Sequence, residues 1–216
     1  MDKLKLTGGA RIGGANATFP FATLSVNNGL LKLNAGIIGS LVFQAKDIVS
    51  FEAISKFGSR GLKINHRVQS YKDNVIFWTS LEGNALIQRI HATGFIENDF
   101  NKKVENEEEI IEKQNSGGFP IKKSVAIGLV VIWNALFLWS FFDFQKGNPS
   151  GFFRNFGITT ALSMMLGFSV LCLVSKKFAE LVLKKGRTVK DVQSSLYLLI
   201  FVAGMMLLMY RAIPPH

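Results

Sequence analysis

Three long apolar runs constrain this chain more than any other feature. They occupy residues 121–142, 156–174 and 192–210. Each is about 18–22 residues, the length a helix rising about 1.5 Å per residue needs to cross about 30 Å of hydrocarbon. None carries a charge in its interior, and within 125–142 only Asn134 and Ser140 are polar. A helix apolar all round can also lie buried in a water-soluble protein, but three such runs in under a hundred residues leave no polar face to meet water. The sequence therefore predicts a three-helix transmembrane region over 121–216.

The charges divide along the same line. Residues 1–120 hold 14 Lys+Arg and 12 Asp+Glu, net +2, and residues 121–216 hold 11 and 3, net +8. The basic excess sits beside the apolar runs, where it marks membrane flanks. The nearly neutral N-terminal half lacks the basic face that nucleic-acid binding needs. With the N-terminal half inside, the inner flanks carry Lys122, Lys123, Lys176, Lys177, Lys184, Lys185, Arg187 and Lys190. The outer flanks carry Lys146, Arg154 and Arg211. Eight against three predicts a cytosolic N-terminal domain and an exterior C-terminus. Trp139 and Tyr210 then fall at the outer boundary. Residues 1–9 have no apolar stretch of the secretory type. The expected location is a bacterial inner membrane, with the lipid bilayer as first partner.

Inside the runs, Asn134 is a lone amide that needs a polar partner and is expected to face another helix. Ser163 and Gly167 have the small-residue spacing of a close helix contact. Ionisable groups and proline breaks, which a transport pathway would require, are missing from the runs. The basic segment 176–187 is expected to continue the second helix as far as Gly186.

The first hundred residues read as β. Strand patterns occur at 3–12, 19–26, 30–34, 40–44, 48–54, 61–68 and 74–80. Asn27-Asn28-Gly29 tolerates positive φ and marks a hairpin between the second and third. Gly8-Gly9 and Gly13-Gly14 mark bulges or turns. A helix follows the last strand: Thr79 and Glu82 have capping-box spacing, Leu86, Ile87 and Ile90 form an apolar stripe, and Gly94 stands at its end.

Short strands followed by one amphipathic helix, with Ile76-Phe77-Trp78-Thr79 leading into it, resemble the pleckstrin-homology superfold. Bacterial PH-like and GRAM-like domains are the most similar type, and the resemblance covers about residues 5–96. It implies an α+β domain over 1–98: a small barrel capped by a C-terminal helix, binding lipid headgroups or peptides without catalysis. Phosphoinositide-binding members place basic residues around the first hairpin, and here that hairpin carries only Lys32. Strand alternation puts Lys63, Asn65 and Arg67 on one face and Leu62, Ile64, His66 and Val68 on the other. Lys63 and Arg67, with Arg60 and Lys72, are the candidate lipid-binding residues.

Residues 99–120 read as an acidic, partly helical tether, with Glu105, Glu107, Glu108, Glu109 and Glu112 clustered. Other chemistry finds no foothold. The glycine-rich start lacks a phosphate-loop pattern, and His66, His91 and His216 have no metal-ligand spacing. Cys172 is the single cysteine, so no intrachain disulfide forms. No nucleophile elbow or triad pattern occurs, so no catalytic residue, metal or cofactor is expected. The expected role is a membrane-anchored binding module for lipid or a protein partner. The alternative is an accessory subunit of a transporter or other membrane complex, with the helices as its contact surface.

Overall fold

The computed structural model describes residues 3–56, 58–96, 107–146 and 156–212. Two compact units divide the chain. One comprises Met1–Pro120 together with Lys184–Arg187, and the other Ile121–Leu183 together with Thr188–His216.

Seven antiparallel strands build the first unit: β1 (Leu4–Ile12), β2 (Ala15–Asn27), β3 (Leu30–Asn34), β4 (Ser40–Gln44), β5 (Ile48–Lys56), β6 (Ser59–His66) and β7 (Val75–Thr79). They form one curled sheet in the order β4-β3-β2-β1-β7-β6-β5, so β4 and β5 are its edges. The curl begins in β1. Its register against β2 shifts between Gly8 and Ala10, and beyond that point β1 also pairs with β7. Gly8 is needed there, because a β-carbon would collide with the Trp78 carbonyl and the Phe77 ring. At the β2–β3 hairpin Asn28 and Gly29 take φ of 51° and 71°. Those values suit a two-residue turn whose twist matches its strands.

The concave face carries Leu24, Leu31, Leu33, Leu41, Phe43, Leu62, Ile64, Val75 and Phe77, all fully buried. Helix α1 (Gly83–Ala92) packs on β5 and β6 and adds Leu86 and Ile90 to this core. Each such side chain contributes about 1.5–3 kcal/mol of burial free energy. The helix starts later than the capping-box spacing suggests. Thr79 is still in β7, paired with Arg60, and its hydroxyl accepts from the Leu81 N–H at 3.3 Å. Glu82 is the N-cap residue and makes no side-chain cap bond. Past α1, Gly94 takes φ of 71° and Phe95 turns back into the core.

Part of the expected tether is folded. Helix α2 (Glu107–Asn115) packs against β4 with Ile110 buried. Glu105 lies outside the described residues.

The second unit holds α3 (Lys123–Gln145), α4 (Phe156–Val174), α5 (Lys176–Val182) and α6 (Val189–Ala212). Three segments, Lys123–Phe142, Phe156–Val174 and Val189–Met209, are long and apolar enough to cross a membrane. Helix α4 does not run on to Gly186. Ser175 breaks it and caps the short α5, its hydroxyl accepting from the Phe178 N–H at 3.3 Å. Leu183 then pairs with Ile121 in an isolated antiparallel bridge.

Helix α4 packs against α3 and α6. The close approach to α3 lies at Gly157, where a β-carbon would collide with the Ser140 hydroxyl and the Leu136 carbonyl. The expected contact residues lie elsewhere. Ser163 and Gly167 are exposed, on the other side of α4 from buried Ala161 and Ser169. Asn134 is also exposed, and its amide donates to the Val130 carbonyl of its own helix at 2.7 Å.

Among the flank cations, Lys123, Lys176, Lys177, Lys185 and Lys190 are exposed. Lys122 donates to the carbonyls of Glu180 and Leu181 at 2.9 and 2.8 Å, near the C-terminal end of α5, where a cation is favoured. Lys146 is exposed, Arg154 lies outside the described residues, and the Arg211 side chain is not described.

Candidate functional site

A sheet with two edges offers two rows of backbone groups for pairing. The β4 edge is closed. The Ser40 N–H donates to the Gly118 carbonyl at 2.9 Å, and the Ser40 carbonyl accepts from Arg187 Nη1 at 2.6 Å. The Val42 N–H donates to the Tyr71 hydroxyl at 3.2 Å, and the Val42 carbonyl accepts from Gln114 Nε2 at 3.2 Å. The Gln44 N–H donates to Asp47 Oδ2 at 2.8 Å, which also accepts from Gln114 Nε2 at 2.7 Å.

Arg187 is the correction here. Expected as a solvated membrane flank, it is 8% exposed inside the first unit. Its Nη2 donates to the Gly117 and Lys113 carbonyls at 2.6 and 3.1 Å, while Nε has no partner among the described residues. A planar guanidinium can serve three carbonyls at once, which an ammonium on a single stem cannot. Lys184 likewise donates to the Ser116 carbonyl at 2.6 Å. Tyr71 packs edge-on against Phe43, and burial pushes its hydroxyl pKa up. The hydrogen bond with Val42 and the Arg187 charge partly oppose that rise.

The β5 edge is different. Among the described residues β5 pairs only with β6, and a bulge between Ile48 and Ser50 turns Val49 outward, 61% exposed. Beside it α1 leaves a groove of about 620 Å3. Ile48, Val49 and Phe51 line one side, and Ile87 and Ile96 belong to the helix side. Lys46, Arg67 and His91 are its charged or titratable members, with no carboxylate among the lining residues. Lys46 pairs with Glu107 at 2.8 Å.

The four candidate lipid-binding residues do not converge. Lys63 faces Glu52 across the β5–β6 ladder at 3.1 Å, and that hydrogen bond is the main cause holding the Glu52 carboxyl below its ordinary pKa. Asn65 beside it donates to the Ser50 hydroxyl at 2.8 Å, so this outer face is a ladder of paired polar side chains. Arg67 lines the β5–α1 groove. Arg60 lines a second cavity, of about 820 Å3, with Phe19 and Trp78. Lys72 is exposed, its stem against Gly13. The alternation that separates Lys63 from Leu62 and Ile64 was legible in sequence. The groove was not, because it joins a bulge to a helix about forty residues away. Of the apolar stripe of α1, Leu86 and Ile90 fill the core, while Ile87 is partly buried against it and also lines the groove.

Among the described residues no three His, Cys, Asp or Glu side chains are grouped to hold a metal ion. No protein-family profile, curated protein or solved structure matches the chain.

Proposed function

We propose that this chain is a membrane-anchored, non-enzymatic binding module of the PH-like type. In this reading the first unit works at the cytosolic face, held there by the three apolar helices, and takes an extended apolar segment of a partner protein in the groove between β5 and α1. The observation that carries the reading is the groove itself: an apolar trough beside a strand edge that pairs, among the described residues, with no strand on its outer side. A peptide backbone can bond to such an edge while alternate side chains fill the trough. Arg67 and His91 favour a segment with acidic residues beside its apolar anchors. The strand order and the helix after β7 support the PH-like assignment. A lipid-headgroup pocket finds less support, because Lys63 is paired and Arg60, Arg67 and Lys72 are scattered.

The test is photo-crosslinking from the full chain in its membrane. A photoreactive side chain at Val49 should give one discrete protein adduct, and the same probe at Lys63 should not. Ile87→Glu should remove the adduct. Lipid adducts alone at Val49, or equal protein labelling from both positions, would overturn the reading.

A further inference from the structure

We infer that α3 carries a self-association seam centred on Asn134, through which two copies of this chain pair within the membrane. Asn134 is the twelfth of the 23 residues of α3. It therefore stands roughly 16 Å from either end of the helix, near the middle of a bilayer core. Its Nδ2 donates to the Val130 carbonyl at 2.7 Å, and among the described residues no donor reaches Oδ1. A carboxamide with an open acceptor and an open N–H is costly in hydrocarbon, where water cannot serve either.

The residues around it form a surface. Ile127, Val131, Asn134, Leu138 and Phe141 follow one another at steps of four, three, four and three. All are exposed, the four apolar ones between 42% and 63%. At 100° per residue this stripe lies on the side of α3 opposite Leu136 and Ser140, which meet Gly157 of α4. Alternating three-four spacing with one central amide is the pattern of a left-handed helix pair whose register is set by a polar residue. The carboxamide on α6, Gln193, is different: it is the fifth residue of that helix, near its end, and donates to the Tyr197 hydroxyl at 3.0 Å.

The occupant follows from the amide's chemistry. Two copies inserted in the same orientation place Asn134 opposite Asn134 at one depth, with no shift of register. Each amide then offers the other one donor and one acceptor. The inference rests on the reading that α3 crosses the bilayer, and the test separates the two.

Single cysteines replace Ile127, Val131, Leu138 or Ile132 in a Cys172→Ser background, and the full chain is reconstituted into phospholipid vesicles. Flotation reports insertion first; protein that does not float sinks the membrane reading itself. In floated vesicles, oxidation should crosslink copies through positions 127, 131 and 138 and not through 132, which lies off the stripe. Diluting the protein with lipid gives the strength of pairing, read with the Leu138→Cys probe. Asn134→Val should weaken it about 5- to 30-fold, the range of one interhelical amide contact of about 1–2 kcal/mol. Asn134→Gln, which keeps the amide, should retain most of it. Inserted protein that stays monomeric at every dilution overturns the proposal. So does crosslinking equal at all four positions, or pairing unaffected by Asn134→Val.

Discussion

At the scale of single residues, Arg187 ties three carbonyls of the first unit to one side chain. It is a cation among carbonyl oxygens, and no carboxylate lies within ion-pair distance among the described residues. Arg187→Leu removes a charged donor from three carbonyls. Hydrogen bonds to a charged group are worth about 1.5–3 kcal/mol, so amide protection along β4 should fall about 10- to 100-fold. Hydrogen exchange by mass spectrometry on the peptide spanning 40–44 measures this, and unchanged protection would contradict the seal. Tyr71 supplies the pH dependence. Its pKa in the fold is raised, chiefly by burial, so the folded state holds the proton more tightly than the unfolded chain. Stability from this group is complete below the ordinary tyrosine pKa of about 10 and is lost as pH rises through the raised value. Alkaline titration should loosen β4 protection above about pH 10. Tyr71→Phe should remove that alkaline step while costing about 1–3 kcal/mol at neutral pH, because the buried Val42 N–H loses its acceptor.

At the scale of elements, local chemistry explains why so much of the β unit could be read beforehand. Hairpin strands announce themselves through alternation and turn residues, and the Asn28-Gly29 turn falls where both signals agree. Gly29→Val puts a β-branched side chain at φ of 71°. It should destabilise the hairpin by about 1–2 kcal/mol, visible as faster exchange in β2 and β3. What escaped the sequence was long-range. Gln114 reaches β4 across 72 positions and Arg187 reaches it across 147, and no periodicity records such a pairing. The capping-box spacing misled for a related reason, since pairing with Arg60 holds Thr79 in the sheet. Among the apolar helices, length and composition were readable, but Ser163 and Gly167 turned out to face away from the packed side. Small-residue spacing specifies a face without saying which neighbour it meets.

At the scale of the whole molecule, three segments are long and apolar enough to cross a membrane, and three crossings would set residues 1 and 216 on opposite sides. The charge bias of eight inner against three outer cations favours N-in and C-out. A reporter fused after His216 should therefore be active only when placed outside the cytosol. Cytosolic activity would require an even number of crossings and exclude one of the three segments. The unit boundary carries a second consequence. A fragment ending near residue 98, where the sequence suggests the domain stops, lacks Gln114, Gly118 and Arg187, and so leaves the β4 edge sealed by Tyr71 and Asp47 alone among the groups described above.

The β4 seal also imposes a timetable. Its last donor is residue 187, yet the strand it closes is made by residue 44. A ribosome adding about 5–20 residues per second takes roughly 3–13 s to pass over the 67 residues from 120 to 187. During that interval β4 is made but unlatched, and two of the apolar helices are synthesised before the latch exists. Nascent chains stalled at residue 150 should be cut by protease near β4, whereas released full-length chains should resist. Completion of the β unit would then report that synthesis has passed the second helix.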